Sequence, residues 1–171
     1  MNRLWLPLIF GSSCFAQGPF LPAAFPELPK NIRADLERRH CKIPQLFQEK
    51  KKVNVIHGQF SRPGQMDWAV ICQAGKTMSI LIFWNGSEIN PARFASSNID
   101  ATTEFTDDGA TGNIWNISTA GKREIMASYK RFGGPKPPLV DHDGLVSGFA
   151  GKASSISYFH NGKWIAWTSS D

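Results

Sequence analysis

Asp141-His142-Asp143, followed at once by Gly144, sets an imidazole between two carboxylates. Two carboxylates flanking an imidazole could ligate a metal ion or orient a general base, because imidazole changes charge near neutral pH. His57 and His160 would add nitrogens if the fold gathers them. A catalytic metal site needs at least three convergent protein ligands, and neighbours in sequence point different ways. The simpler reading is a loop in which Asp141 and Asp143 accept backbone N–H groups ahead of a glycine. No cofactor, no metal site and no catalytic residue is therefore expected. Asp141, His142 and Asp143 are kept as candidate binding residues.

Other reaction chemistries find less support. Serines are plentiful, but no G-x-S-x-G nucleophile elbow occurs, and "SSIS" (154–157) falls in a predicted strand. The fourteen acidic residues single out no carboxylate pair for glycoside cleavage. Aromatic residues are the stronger candidates. In "KWIAW", Trp164 and Trp167 stand three apart, on opposite faces of a regular strand. At least one of them is then positioned for exposure, and exposed strand aromatics mark surfaces for sugars, peptides or proteins. Trp164 and Trp167 complete the set of candidate binding residues.

The elements that must position these residues are mainly β. "VNVIHGQF", "DWAVICQ" and "MSILIFW" are rich in β-branched and aromatic residues. "SSISYFH-NG-KWIAWTS" predicts a hairpin, with Asn161-Gly162 supplying positive φ angles at a tight turn. "GNIWNIST-AGK-REIMASY" reads as a second hairpin around Gly121, and "RFGGPKPPLVDHDG" (131–144) as a loop. Ahead of the strands, "PKNIRADLERRHC" reads as one short amphipathic helix, with Pro29 at its start and Ile32 and Leu36 on one stripe.

The first residues concern location. "MNRLWLPLIFGSSCFAQ" has Arg3, an apolar run from Leu4 to Phe10, small residues, and Ala16 before Gln17. That is the layout of a secretory signal, and its apolar run is too short to span a bilayer. Residues 1–16 are expected to be a signal peptide, 17–29 an extended Pro-rich arm, and 30–171 one β-rich domain. No transmembrane segment is expected in the mature chain. Cys14 would anchor a lipoprotein in a second reading, but Gly11 stands where an aliphatic residue is usual.

Removal of the signal leaves Cys41 and Cys72, an even pair suited to one disulfide in an oxidising compartment. A metal or redox pair is the alternative, without a CxxC motif to support it. The chain carries a formal charge of +5. Its basic clusters, "ERRHCK" and "QEKKK", lack interleaved exposed aromatics, so no nucleic-acid partner is expected.

Residues 59–70, Gln-Phe-Ser-Arg-Pro-Gly-Gln-Met-Asp-Trp-Ala-Val, follow a strand and lead into another. With the flanking segments (55–86) they resemble one degenerate FG-GAP or VCBS-type repeat, whose template is an acidic loop D-x-N-x-D-G-x-x-D before an apolar strand. Gly64 and Asp67 match the template; Gln59, Ser61 and Pro63 replace its calcium ligands. Calcium takes six or more oxygens, which this loop does not offer. A weaker echo lies at "FTDDGATGNIWNI" (105–117), and the C-terminal part resembles small secreted bacterial proteins of unknown function. Pro63-Gly64 is expected to form a turn, with Asp67 accepting loop amides.

The resulting expectation is a mainly β (α+β) domain, a single antiparallel sheet or sandwich of about seven strands with one N-terminal helix tied on by Cys41–Cys72. Its expected role is that of an exported, periplasmic or secreted, non-catalytic binding module for a protein or cell-envelope component. The alternative is a hydrolase or metal-dependent enzyme built on the Asp141-His142-Asp143 loop.

Overall fold

The computed structural model describes residues 18–47, 49–105 and 111–170. The expected signal segment and Cys14 lie outside the described residues. Helix α1 spans Lys30–Arg38 and helix α2 Lys122–Phe132. A first sheet is the antiparallel meander β1 (Val55–Gly58), β2 (Asp67–Ala74), β3 (Thr77–Phe83) and β4 (Ala92–Asn98). A second meander follows: β7 (Trp115–Ala120), β8 (Gly144–Phe149), β9 (Ser154–His160) and β10 (Lys163–Ser170). Between them, β5 (Thr103–Phe105) and β6 (Thr111–Asn113) form a small ribbon.

Strand alternation explains the layering. On β2 and β3, Ala69, Ile71, Ile80 and Ile82 face one way and pack with Trp115, Ile117 and Leu145 of the second sheet. Val70, Cys72, Leu81 and Phe83 face the other way, onto Ile32 and Leu36 of α1 and onto Phe25 and Leu28 of the N-terminal arm. The outer face of the second sheet, with Ile156, Tyr158 and Trp167, is covered by Ile125 of α2 and by Val140. The order of layers is α1 with the arm, first sheet, second sheet, α2. β2 and β3 are buried on both faces over most of their length, hence their near-continuous apolar runs.

Several expectations need correction in detail. There are ten strands among the described residues, in three sheets, and two helices. The expected hairpin around Gly121 is a strand followed by α2. "KREIMASYKRF" places Ile125, Tyr129 and Phe132 on one helical stripe. Glu124 reaches back to accept the Gly121 N–H at 3.1 Å, capping the first turn. Helical spacing and this cap outweigh the β-leaning residues of "REIMASY". Arg131 and Phe132 belong to that helix, so the loop proper begins at Gly133. The arm holds a 3-10 turn at Pro22–Ala24 and contributes Phe25, which is completely buried.

Other expectations match the structure. Cys41 and Cys72 form a disulfide, with Cα atoms 5.1 Å apart, which fastens the end of α1 to β2. Asn161 and Gly162 take φ of 50° and 77°, the left-handed pair of a two-residue hairpin turn. No described helix is long and apolar enough to cross a membrane.

Candidate functional site

The 59–67 loop shows how the sequence builds its own supports. Gly64 takes φ of 77°, a left-handed position that glycine occupies without strain. Asp67 is completely buried, and its carboxylate accepts three hydrogen bonds: Ser61 N (2.9 Å), Gln65 Nε2 (2.7 Å) and Asn85 N (2.8 Å). Both carboxylate oxygens are thus engaged within the chain. The third bond matters beyond the loop, because Asn85 is left-handed (φ 52°) and follows Trp84 directly. Asp67 therefore fixes the turn that presents Trp84.

Trp84 belongs to a half-buried aromatic cluster with Phe94, Phe159 and Trp164. Ring centroids lie 5.2 Å apart for Trp84–Phe159, 6.1 Å for Trp84–Trp164, 4.8 Å for Phe94–Trp164 and 5.2 Å for Phe159–Trp164. These are offset, tilted and edge-on arrangements that aromatic quadrupoles favour. Phe159 and Trp164 are directly opposite across the β9–β10 hairpin, a register set by the Asn161-Gly162 turn. Phe94 arrives by a different device. Ile80 pairs with Ala95 and Leu81 with Arg93, so Phe94 is an extra residue in β4. The bulge lets Phe94 and Ala95 both pack toward the inter-sheet core, while Arg93 stays on the opposite face.

The contact of Phe94 with Trp164 places β4 and β10, the end strands of their sheets, along one side of the sandwich. The aromatic rim runs between them. The neighbouring 84–91 turn carries Ile89, 74% exposed, and is held to α1 by Asn31, whose amide donates to Gly86 O (2.8 Å) and Glu88 Oε2 (2.6 Å). That amide bond holds the Glu88 carboxyl below its usual range.

The residues singled out in the sequence divide between surface and interior. Trp164 lies in the rim. Trp167 is only 2% exposed, its indole N–H donating to Pro135 O at 2.7 Å beneath the 133–143 segment. The His142 ring stacks on Tyr158, with centroids 4.1 Å apart and planes within 10°. The Tyr158 hydroxyl lies 3.1 Å from Asp141 Oδ1 and accepts from Asp141 N at 3.2 Å. Burial pushes the Tyr158 phenol above its ordinary pKa. Asp143 turns the other way, its Oδ2 accepting the Gln59 N–H at 2.8 Å. The two aspartates thus hold two different segments, in the manner of Asx residues.

The histidines do not share a centre. His57 lies on β1 against Trp68, with ring centroids 4.9 Å apart. His160 stacks more loosely on Tyr158, with ring centroids 6.4 Å apart, and His40 follows the end of α1 with φ of 54°. Among the described residues, no group of three His, Cys, Asp or Glu side chains is placed to hold a metal ion.

Sequence reasoning named Trp164 but missed Trp84, Phe94 and Phe159. Phe159 had a signal: once Asn161-Gly162 sets a two-residue turn, Phe159 must face Trp164. Phe94 had none, because a bulge inside "ARFASSN" has no turn residue to mark it. Comparison of the chain with family models, with curated proteins and with solved structures finds no significant match, so the geometry above is what bears on function.

Proposed function

We propose that the chain is an exported, non-catalytic binding domain that holds a protein of the cell envelope or periplasm at the Trp84–Phe94–Phe159–Trp164 rim. The observation that carries this reading is the half-buried aromatic cluster at the margin of the sandwich. Rigid aromatic side chains offer large contact area at small entropic cost, and they dominate binding energy where they cluster. The end strands β4 and β10 flank the rim and present backbone donors and acceptors, which favours a polypeptide over a saccharide. The N-terminal signal pattern and the Cys41–Cys72 disulfide support export. The β1–loop–β2 layout, with Gly64 left-handed and Asp67 closing the loop, supports reading 55–86 as a degenerate FG-GAP/VCBS-like repeat kept as scaffold.

The test is cross-linking in cells of the full chain carrying a photoreactive residue at Ile89, beside the rim. The same chain with Trp84→Ala and Trp164→Ala serves as comparison. A discrete protein adduct that disappears in the double variant, with its amide I infrared spectrum unchanged, is the expected result. Retention of the adduct in the double variant would remove the rim from the binding surface. Adducts with polysaccharide alone would replace a protein partner by an envelope glycan.

A further inference from the structure

On the opposite face of the first sheet from Phe94, a concavity of about 420 Å³ is lined by Arg39, Cys72, Thr77, Ser79, Leu81 and Arg93, among others, with no carboxylate in its wall. We propose that it is an oxyanion site, taking a phosphate or carboxylate group between the guanidiniums of Arg39 and Arg93. This site does not rest on the aromatic rim, because strand alternation sends Arg93 and Phe94 to opposite faces.

Three features of the fold build the site. The register sets Arg93 opposite Leu81 on the outer face of the sheet, beyond the area that α1 covers. Arg39 follows the last turn of α1, and its Nε donates to Asp35 Oδ2 at 2.6 Å. That bond orients the guanidinium and uses one of its donors, leaving its two terminal nitrogens without a described partner. Asp35, with a side chain 3% exposed, also accepts from Arg38 at 2.8 Å, so one carboxylate serves two arginines.

The Arg93 side chain makes no hydrogen bond or ion pair with any described residue, and the same holds for the exposed Thr77 hydroxyl. Ser79 lies between them in the floor, 7% exposed, its hydroxyl 3.1 Å from that of Ser96. The unpaired guanidinium of Arg93 and the remaining terminal nitrogens of Arg39, over a hydroxyl-bearing floor, match the paired oxygens of carboxylate or phosphate. Chloride has no such geometry, so the site should distinguish oxyanions from simple charge screening.

The experiment is an NMR titration of the ¹⁵N-labelled full chain, following backbone amides and arginine Nε–H signals. Inorganic phosphate and acetate are added separately, each replacing chloride at constant ionic strength. The expected result is a saturable shift at Arg39, Arg93, Thr77 and Ser79, weakened about tenfold in Arg93→Gln, the loss of one charged hydrogen-bond partner. Arg62→Gln, at the distant 59–67 loop, should leave the saturation unchanged. Saturation by phosphate alone assigns phosphate-bearing ligands, and saturation by acetate assigns carboxylates. Linear shifts no larger than those of chloride, or saturation that survives Arg93→Gln, overturn the proposal. Failure here leaves the rim untouched, since the photoreactive adduct at Ile89 is read independently.

Discussion

The two margins of the sandwich are built on opposite principles. At the β1–β7 margin, Asn54 is completely buried with a left-handed φ of 69°. Its amide donates to Pro44 O (2.8 Å) and Trp115 O (3.1 Å), its side-chain oxygen accepts Ile117 N (3.2 Å), and its own carbonyl accepts Ile71 N (3.0 Å). One residue thereby joins the segment after α1, the first sheet and the second sheet, with both of its side-chain N–H donors used. At the β4–β10 margin the two sheets meet through aromatic rings that are each half-buried and make no such network. The closed margin holds the sheets at a fixed distance, and that leaves the open margin free of a structural polar task. A surface with no polar commitment to the fold is the one that can be given to a partner.

The largest effect should come from breaking the closed margin. Asn54→Ala removes three side-chain hydrogen bonds, leaves buried backbone groups unpaired, and puts a β-carbon residue without amide compensation at a left-handed position. A loss of about 4 kcal/mol in urea unfolding is expected from these terms. A loss below about 1 kcal/mol would mean that water replaces the amide, and that the margin is less closed than the contacts imply.

The covalent tie comes next. Cys41 and Cys72 are 31 positions apart, and cross-linking a loop of that size stabilises by about 3.7 kcal/mol in the chain-entropy account. Cys41→Ala with Cys72→Ala should lower the denaturant midpoint accordingly while the rim's near-ultraviolet circular dichroism persists. Loss of that aromatic signal together with the disulfide would show that the rim depends on how α1 is docked.

Trp164→Thr then probes the open margin. Threonine keeps strand propensity while removing an indole that touches Trp84, Phe94 and Phe159. Because the ring is half-buried, a stability loss of about 2 kcal/mol is expected, less than for a fully buried tryptophan. Partner capture should fall far more than stability does. Equal losses in both would make the rim part of the core.

The contrast between the margins also explains what the sequence made legible. Local rules found the β9–β10 turn, the Asp67 loop and the disulfide pair, because each depends on residues of distinctive type at short or countable spacing. They failed at α2, where "REIMASY" carries β-leaning residues and the deciding signal is the Glu124 carboxylate returning to Gly121 N. Of the second sheet, β7, β9 and β10 were foreseen as strands and β8 was not, and the choice between one sheet and a sandwich stayed open. Sheet count depends on which faces meet, and β2 and β3 are apolar on both. The candidate site was legible only at Trp164. Its other members converge through a bulge, a 3-10 turn and an inter-sheet contact that have no local pattern.

The 133–143 segment is the intermediate case, a strap over β9 that is tied down at some atoms and open at others. Tyr158 is buried and Leu139 is 76% exposed, although the Tyr158 hydroxyl lies 3.3 Å from Leu139 O. Tyr158→Phe keeps the ring under His142 and deletes only the hydroxyl, so a loss of about 1 kcal/mol is expected at neutral pH. The pH dependence discriminates further. Burial raises the folded-state pKa of Tyr158 above the 10.0 of an ordinary phenol. The unfolded chain therefore gives up this proton first as the solution becomes alkaline. The stabilisation is complete below pH 10 and declines as pH rises from there toward the folded-state value. Thermal unfolding of the parent protein should show that decline, and Tyr158→Phe should reduce it. An unchanged alkaline slope in the variant would mean that the strap opens before the phenol ionises, which would class this region with the open rim rather than with the Asn54 margin.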